Sequence, residues 1–285
     1  MCRRFAEDPA AERILGGGKV LALLAGLHDL VLRGDASWDD PLSEHEEPLR
    51  EWLERYTVQT NEVQRSWVLL PLFLHATRNA EAVHVLELGA SAGLNLVWDR
   101  YRYEYEAASW GDADAALRLV GDERGSPIPA AVLERRPEIR SRVGIDRAPV
   151  DLGDDEAARY LKAFVWADQD ERMRRLDAAI EAVRADPPQL VAGELPDALP
   201  KVLAGIPDDA LVLVFQTAVL GYLTQEGRNR VRDYLQAVDR DLVFVSGGTP
   251  RGREGMWGMR VFRPGKEREF IGHADFHGAW LEYEL

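Results

Sequence analysis

The chain has 285 residues, 46% of them hydrophobic, enough to bury one large α/β core. Lys plus Arg number 35 against 49 Asp plus Glu, a formal net charge of −14, so a phosphate backbone should be repelled and nucleic acid is not an expected partner. The one cysteine, Cys2, excludes an internal disulfide and a cysteine-based zinc cage; no long apolar span predicts a membrane helix, and MCRRFAEDPA lacks a signal-peptide core, so a soluble, cytoplasmic protein is expected.

Residues before Val83 read as helices without strand pattern, a helical N-terminal cap over 1–80, beside or over a cleft. Gly16-Gly17-Gly18-Lys19 fails as a phosphate loop, because Arg13 stands where the first glycine belongs, Val20 replaces the Ser or Thr, and no strand precedes it. Val20 to Leu32 is apolar at helical spacing and stops at Gly34. Ser43-x-x-Glu46 predicts a capping box for a helix reaching Tyr56. Asn61-x-x-Gln64 predicts the cap of the next helix, with Val63, Trp67, Leu70 and Leu74 on it and Pro71 kinking or dividing it. His28 and His75 read as structural residues on these helices.

Val83 to Val97, VHVLELGASAGLNLV, organises the rest. The apolar run to Leu88 predicts a strand buried on both faces, with Glu87 just before its end. A glycine turn follows, Gly89-Ala90-Ser91-Ala92-Gly93, and Leu94-Asn95-Leu96-Val97 starts a helical pattern. Strand, glycine turn and helix place backbone N–H groups against an anionic ligand. The same turn matches G-x-S-x-G, the nucleophile elbow of α/β-hydrolases, and it also reads as a tight turn with no ligand.

Next, Tyr101-Arg102-Tyr103-Glu104-Tyr105-Glu106 alternates aromatic with charged residues, as a half-exposed strand does. Leu117 to Val120 is its expected partner in a hairpin inserted at about 100–121, its tyrosines read as packing. Arg142 to Asp146 is a short strand ending in an acid, the position that accepts ribose hydroxyls in dinucleotide folds. Asp151, Asp154, Asp155 and Glu156 suit the first turn of a helix ending near Phe164. Asp168-x-x-Glu171 predicts the cap of an amphipathic helix with Met173, Leu176, Ile180 and Val183 inward, ended by Pro187-Pro188. Gln189 to Gly193, Ala210 to Gln216 and Leu242 to Ser246 are the third to fifth strands. Gly247 to Gly258 reads as a glycine- and arginine-rich loop, and Trp257 to Arg263 and Ala279 to Leu285 as two closing strands. No helix separates strands five and six.

VLELGASAGLN, GIDRAPVDL, VAGELPDALP and VFQTAVLGYL come in the order of a class I S-adenosylmethionine-dependent methyltransferase core, and E-x-G-x-x-x-G-x-N resembles its cofactor loop. With YRYEY, FVWADQDERMRRL and HGAWLEY, the chain from about Tyr56 onward also resembles a bacterial family known as a domain of unknown function, number 2332. The resemblance implies a seven-stranded, mostly parallel, doubly wound sheet of strand order 3-2-1-4-5-7-6, in an α/β domain over 81–285. It implies S-adenosylmethionine as cofactor, with Glu87, Gly89, Ala90, Ser91, Gly93 and Asn95 at its methionine and ribose end and Asp146 on the ribose hydroxyls. Glu194 and Leu195 would lie near the adenine, and Gln216 on the cleft floor. Ser91 replaces a second glycine of many such enzymes, and Glu194 stands where Asp is commoner.

The implied activity is methyl transfer to a small molecule. The alternatives are a methyltransferase-like protein that binds a ligand without turnover, and a serine hydrolase using Ser91, Asp241 and His277. No catalytic base declares itself; His273, His277 and Tyr222 are the candidates. His273-x-Asp275-x-His277 could offer a base or two metal ligands, too few for a metal site, and reads better as solvent-facing loop residues just before an edge strand. Arg251, Arg253, Arg260, Arg263, Lys266 and Arg268 make this end basic, either a clamp for an acidic molecule or a solvated surface.

Overall fold

The computed structural model describes residues 8–16, 20–59, 61–248 and 255–284. Cys2, Gly17 to Lys19 and the heart of the arginine-rich loop, with Arg251 and Arg253, lie outside the described residues. The helices are α1 (Pro9–Leu15), α2 (Val20–Arg33), α3 (Glu46–Arg55), α4 (Arg65–Ala76), α5 (Ala130–Leu133), α6 (Asp155–Ala163), α7 (Asp170–Ala185), α8 (Ala198–Gly205) and α9 (Gln225–Ala237). The strands are β1 (Ala82–Leu88), β2 (Arg102–Glu104), β3 (Ser109–Trp110), β4 (Arg118–Val120), β5 (Asp122–Gly125), β6 (Glu138–Asp146), β7 (Gln189–Ala192), β8 (Leu211–Gln216), β9 (Leu242–Gly248), β10 (Met256–Phe262), β11 (Glu269–Asp275) and β12 (Trp280–Tyr283). No single helix among the described residues is long and apolar enough to cross a membrane.

The chain divides into two compact units, 1–61 with 151–177, and 62–150 with 178–285. The first unit is helical. Asp8 caps α1 by accepting from Ala10 N at 2.9 Å, and Pro9 fills the first helical position, where a missing N–H does no harm. Ile14, Leu23, Leu27, Leu30, Leu42 and Leu49 form its core. The expected box at Ser43 and Glu46 does not form: a 3₁₀ turn, Leu42–Glu44, leads into α3, and His45 caps it without a side-chain bond. His28 is buried with Nδ1 3.2 Å from the Ala163 carbonyl oxygen, a structural role.

The second unit is built on a nine-stranded mixed sheet of order β5-β12-β11-β10-β9-β8-β1-β6-β7. Strands β7, β6, β1, β8 and β9 are mutually parallel, and every residue of β1 and β8 is buried. Parallel neighbours need a crossover, and helices lie between β6 and β7, between β7 and β8, and between β8 and β9. After β9 no helix follows, so β10 returns antiparallel to it, and β11 and β12 continue the meander. β5 then joins β12 in parallel as the far edge.

This corrects the expected seven-stranded, doubly wound, methyltransferase-type sheet and its order 3-2-1-4-5-7-6. Two strands were unforeseen, β5 and β11, and the missing crossover after β9 makes the last strands a sequential meander. β10 therefore ends at the amino edge of the parallel strands, carrying Arg263 away from the carboxyl edge, where its guanidinium meets the Ala76 carbonyl oxygen.

The inserted hairpin is also different. β2 pairs antiparallel with β3, Tyr103 opposite Trp110, while β4 lies parallel to β2. Tyr101, Tyr103 and Tyr105 are buried, and their hydroxyls donate to the carbonyl oxygens of Leu94 (2.6 Å), Trp98 (2.8 Å) and Trp67 (2.6 Å). α4 is buried along its length except at His75, and Trp67 to Leu74 is apolar all round, as in a core helix. Pro71 does not divide it, and Gln64 caps it without a side-chain bond.

Candidate functional site

The first strand leaves β1 → β6 → β7 on one side and β8 → β9 on the other. In open α/β sheets such a switch of direction opens a crevice at the carboxyl ends, where ligands bind. Glu87, the turn from Gly89 to Gly93, Asp146 and Gln216 all stand at this edge of β1, β6 and β8.

Gly89 has φ +76°, and a β-carbon there would come within 2.4 Å of Val219 Cβ, so only glycine allows the loop after β8 to cover the turn. Gly144 on β6 is needed for another reason: a β-carbon there would meet Ala90 Cβ at 2.5 Å. The N–H groups of Gly89 and Ala90 both donate to the Ile145 carbonyl oxygen, at 2.8 and 3.1 Å. Ser91 is the residue with a positive φ, 50°, among the described non-glycines. Its N–H donates to Asp146 Oδ2 at 2.8 Å, and Ala148 N donates to Oδ1 at 2.9 Å. Asp146 thus holds the turn closed from the end of β6, a job its place in the sequence does not reveal.

No α-helix follows the turn. Residues 94–97 are turns and Trp98–Arg100 is a 3₁₀ helix, so the expected helix N-terminus is not there to hold an anion. Side chains explain why. Asn95 bonds the Glu87 carboxyl and accepts from Ser66 Oγ at 2.8 Å, and Leu94 O is taken by the Tyr101 hydroxyl. These are tertiary bonds, from Ser66 on α4 and Tyr101 of the insert, and they pin residues 94 and 95 in the turn.

Glu87 is 1% exposed, and its Oε2 meets no hydrogen-bond partner among the described residues. Burial pushes its carboxyl well above the ordinary carboxylate range; the Asn95 bond opposes this, the Asp146 charge adds to it, and the Arg65 guanidinium opposes it less. Arg65, from the first turn of α4, is buried with its guanidinium 4.5 Å from the Phe276 ring and 5.2 Å from the Trp257 ring, and its Nε donates to Phe276 O at 3.0 Å. Sequence reasoning missed it, although a charged residue at the head of the apolar run WVLLPLFL was a visible signal.

Other expected site residues are placed differently. Gln216 is buried, but its amide donates to Ser246 Oγ (2.8 Å) and Gly247 O (2.7 Å), tying β8 to β9. Glu194 is exposed and 3.8 Å from Arg147, while Leu195 packs on the core beneath the sheet. Tyr222 is 82% exposed beside a 3₁₀ turn after β8. His273 and Asp275 belong to β11 rather than a loop, and His277 follows in a turn whose N–H donates to Asp275 Oδ2 at 2.7 Å. His273 Nδ1 is 3.0 Å from Glu284 Oε1, and it is Glu282 and Glu284, not His277, whose ligand atoms gather with it within 4.8 Å. Ser91, Asp241 and His277 do not assemble as a triad: Asp241 precedes β9 at the amino edge, five residues before Ser246, which is level with Gln216 and Leu88. That separates it from the turn by roughly 16 Å along the strand.

A cavity of about 590 Å³ lies elsewhere, lined by Arg100, Ala116, Leu117, Ala178, Glu181 and Asp186 among others. Asp186 lies three residues before β7, which sets this cavity toward the amino edge, and Asp186 is already paired with Arg100 and Arg142. The carboxyl edge, where chemistry-bearing groups converge on the switch point, is the better candidate site. No curated protein matches the chain. The family model described as "Uncharacterized protein conserved in bacteria (DUF2332)" matches residues 2–283, and the chain belongs to that family.

Proposed function

We propose that this protein binds S-adenosylmethionine at the carboxyl edge of β1, β6 and β8 and transfers its methyl group to a small molecule. The observation that carries the reading is the pairing, at the switch point, of a closed glycine turn with two carboxyl groups of unlike surroundings. Glu87 offers a buried oxygen with no partner to a ligand's donor, such as an ammonium group. Asp146 accepts one backbone N–H on each oxygen, and a carboxylate oxygen has a second lone pair for a ribose hydroxyl. The resemblance of ELGASAGLN to the methyltransferase loop supports the same ligand. Bound S-adenosylmethionine supplies an activated methyl group on a sulfonium. The protein's part is to hold acceptor, methyl carbon and sulfur in line, which needs no base unless the acceptor must lose a proton.

Calorimetry and thermal shift with S-adenosylmethionine and with its demethylated product test the reading. A ligand that binds only the folded state stabilises it by about 2.7 kcal/mol at a hundredfold excess over Kd. At about 2–4 °C per kcal/mol the melting temperature should rise by several degrees. No binding of either ligand at millimolar concentration would reject the cofactor. Binding without methyl transfer to any of a panel of amines, thiols, carboxylates and phenols would favour a binding protein over an enzyme.

A further inference from the structure

Glu87 is an anomaly for a purely structural residue. It sits in a strand buried throughout, 1% exposed, with one side-chain donor, Asn95, and with Oε2 unpartnered among the described residues. Buried polar atoms are normally satisfied, and each exception asks for an explanation. The charged groups that face it are few. Asp146 acts on it from the end of β6 and disfavours its charge; Arg65 acts from α4 and favours it. Tyr101, from the insert, feels Glu87 in turn and is itself neutral, because burial pushes its hydroxyl well up. Asn95 and Ser66 are uncharged. Phe215 is its register partner on β8 and brings no polar group.

Resting on the reading above, we propose that Glu87 carries its proton in the free protein and releases it when a cationic ligand binds, so that ligand recognition at this site is proton-coupled. The balance is simple. The neutral carboxyl becomes a carboxylate, its proton passes to solvent, and the ligand's positive charge takes the proton's place beside Oε2. A buried acid with a like charge nearby and no second donor favours the neutral form, and an arriving cation reverses that preference. Release and tightening are two faces of one linkage, so affinity for a cation must rise with pH wherever the free protein still holds the proton.

The experiment is calorimetric titration of the full chain with S-adenosylmethionine in buffers of differing ionisation enthalpy, repeated from the ordinary carboxylate range up through neutrality. Wild-type protein should release close to one proton per ligand, and Kd should tighten by up to tenfold per pH unit until release falls away. Glu87→Gln, close in size and unable to titrate, should bind with the proton release abolished and the pH dependence flattened. Binding by the wild type without proton release overturns the inference and leaves the cofactor reading intact. Proton release that survives in Glu87→Gln assigns the proton to another group and overturns it equally. Should Glu87→Gln fail to fold, carboxyl-carbon NMR of the wild type decides: a Glu87 resonance at the neutral-acid position that moves to the carboxylate position on adding S-adenosylmethionine supports the inference, and one that does not move overturns it. No binding of S-adenosylmethionine to wild-type protein removes both the cofactor reading and this inference.

Discussion

Asp146→Ala is the sharpest test of the turn. The substitution takes two acceptors from the backbone, Ser91 N at 2.8 Å and Ala148 N at 2.9 Å. Hydrogen bonds to a charged group contribute ~1.5–3 kcal/mol each when secluded, but Asp146 is half-exposed and water replaces part of each, so a total loss of ~1–3 kcal/mol is expected. At ~2–4 °C per kcal/mol the ligand-free melting temperature should fall by roughly 2–12 °C. The amides of Ser91 and Ala148 should exchange faster with solvent. Asp146→Asn keeps one oxygen and should retain about half of the stability, because its amide nitrogen cannot accept from the second N–H. Affinity for S-adenosylmethionine should fall about ten- to a hundredfold in Asp146→Ala, the equivalent of one charge-assisted acceptor. The assays are scanning calorimetry without ligand, hydrogen exchange, and titration with ligand. An unchanged ligand-free melting temperature together with unchanged exchange at Ser91 would refute the claim that Asp146 closes the turn. Unchanged affinity with a lowered melting temperature would leave Asp146 a purely structural anchor.

Gly89→Ala should destabilise by at least the ~1–2 kcal/mol of a left-handed backbone, because φ is +76° and the new β-carbon would lie 2.4 Å from Val219 Cβ; Gly89→Ala in a Val219→Gly background, which lacks that β-carbon, should be spared only the clash, and no destabilisation in that background by denaturant unfolding would show that the backbone is unstrained. Ser91→Ala should leave the thermal shift by S-adenosylmethionine intact, since the turn is asked to work through the Ser91 backbone, whose N–H and carbonyl both survive the change; ester hydrolysis by the wild type that vanishes in Ser91→Ala would revive the hydrolase reading. For Glu87 the folded-state proton affinity is raised, so its contribution to stability is full below the ordinary carboxylate range and is lost as pH rises through the raised value. Glu87→Gln should therefore gain stability relative to wild type as pH rises through that window, and a constant difference between the two unfolding curves would contradict a protonated Glu87.

The parallel half of the sheet was legible because strands buried on both faces advertise themselves. VHVLEL and LVLVFQ are apolar runs, and every residue in them is buried. The other half was not, because strands near a sheet edge are chosen partly to resist pairing with strangers. β5 reads Asp-Glu-Arg-Gly, and β11 reads Glu-Phe-Ile-Gly-His-Ala-Asp with only two large apolar residues; what makes them strands is the neighbour each finds, not local propensity. The hairpin partner of Tyr103, a two-residue strand around Trp110, is below the length at which alternation can be seen.

The site divides in the same way. Glu87, the glycine turn and Asp146 were found from strand-end acids and glycine spacing, and the structure brings them together. What each acid does was hidden, because it depends on groups distant in sequence. Asp146 is 55 positions from the Ser91 N–H it accepts, and Glu87 is surrounded by α4, the insert and β8. Two carboxyls that look alike as sequence thus differ in kind. One has its oxygens supplied with backbone donors and holds a turn; the other is starved of them and buried. A site with such a division can fix its shape through the first group and leave the second to answer the ligand's charge, and that follows from who donates to whom rather than from which residue is present.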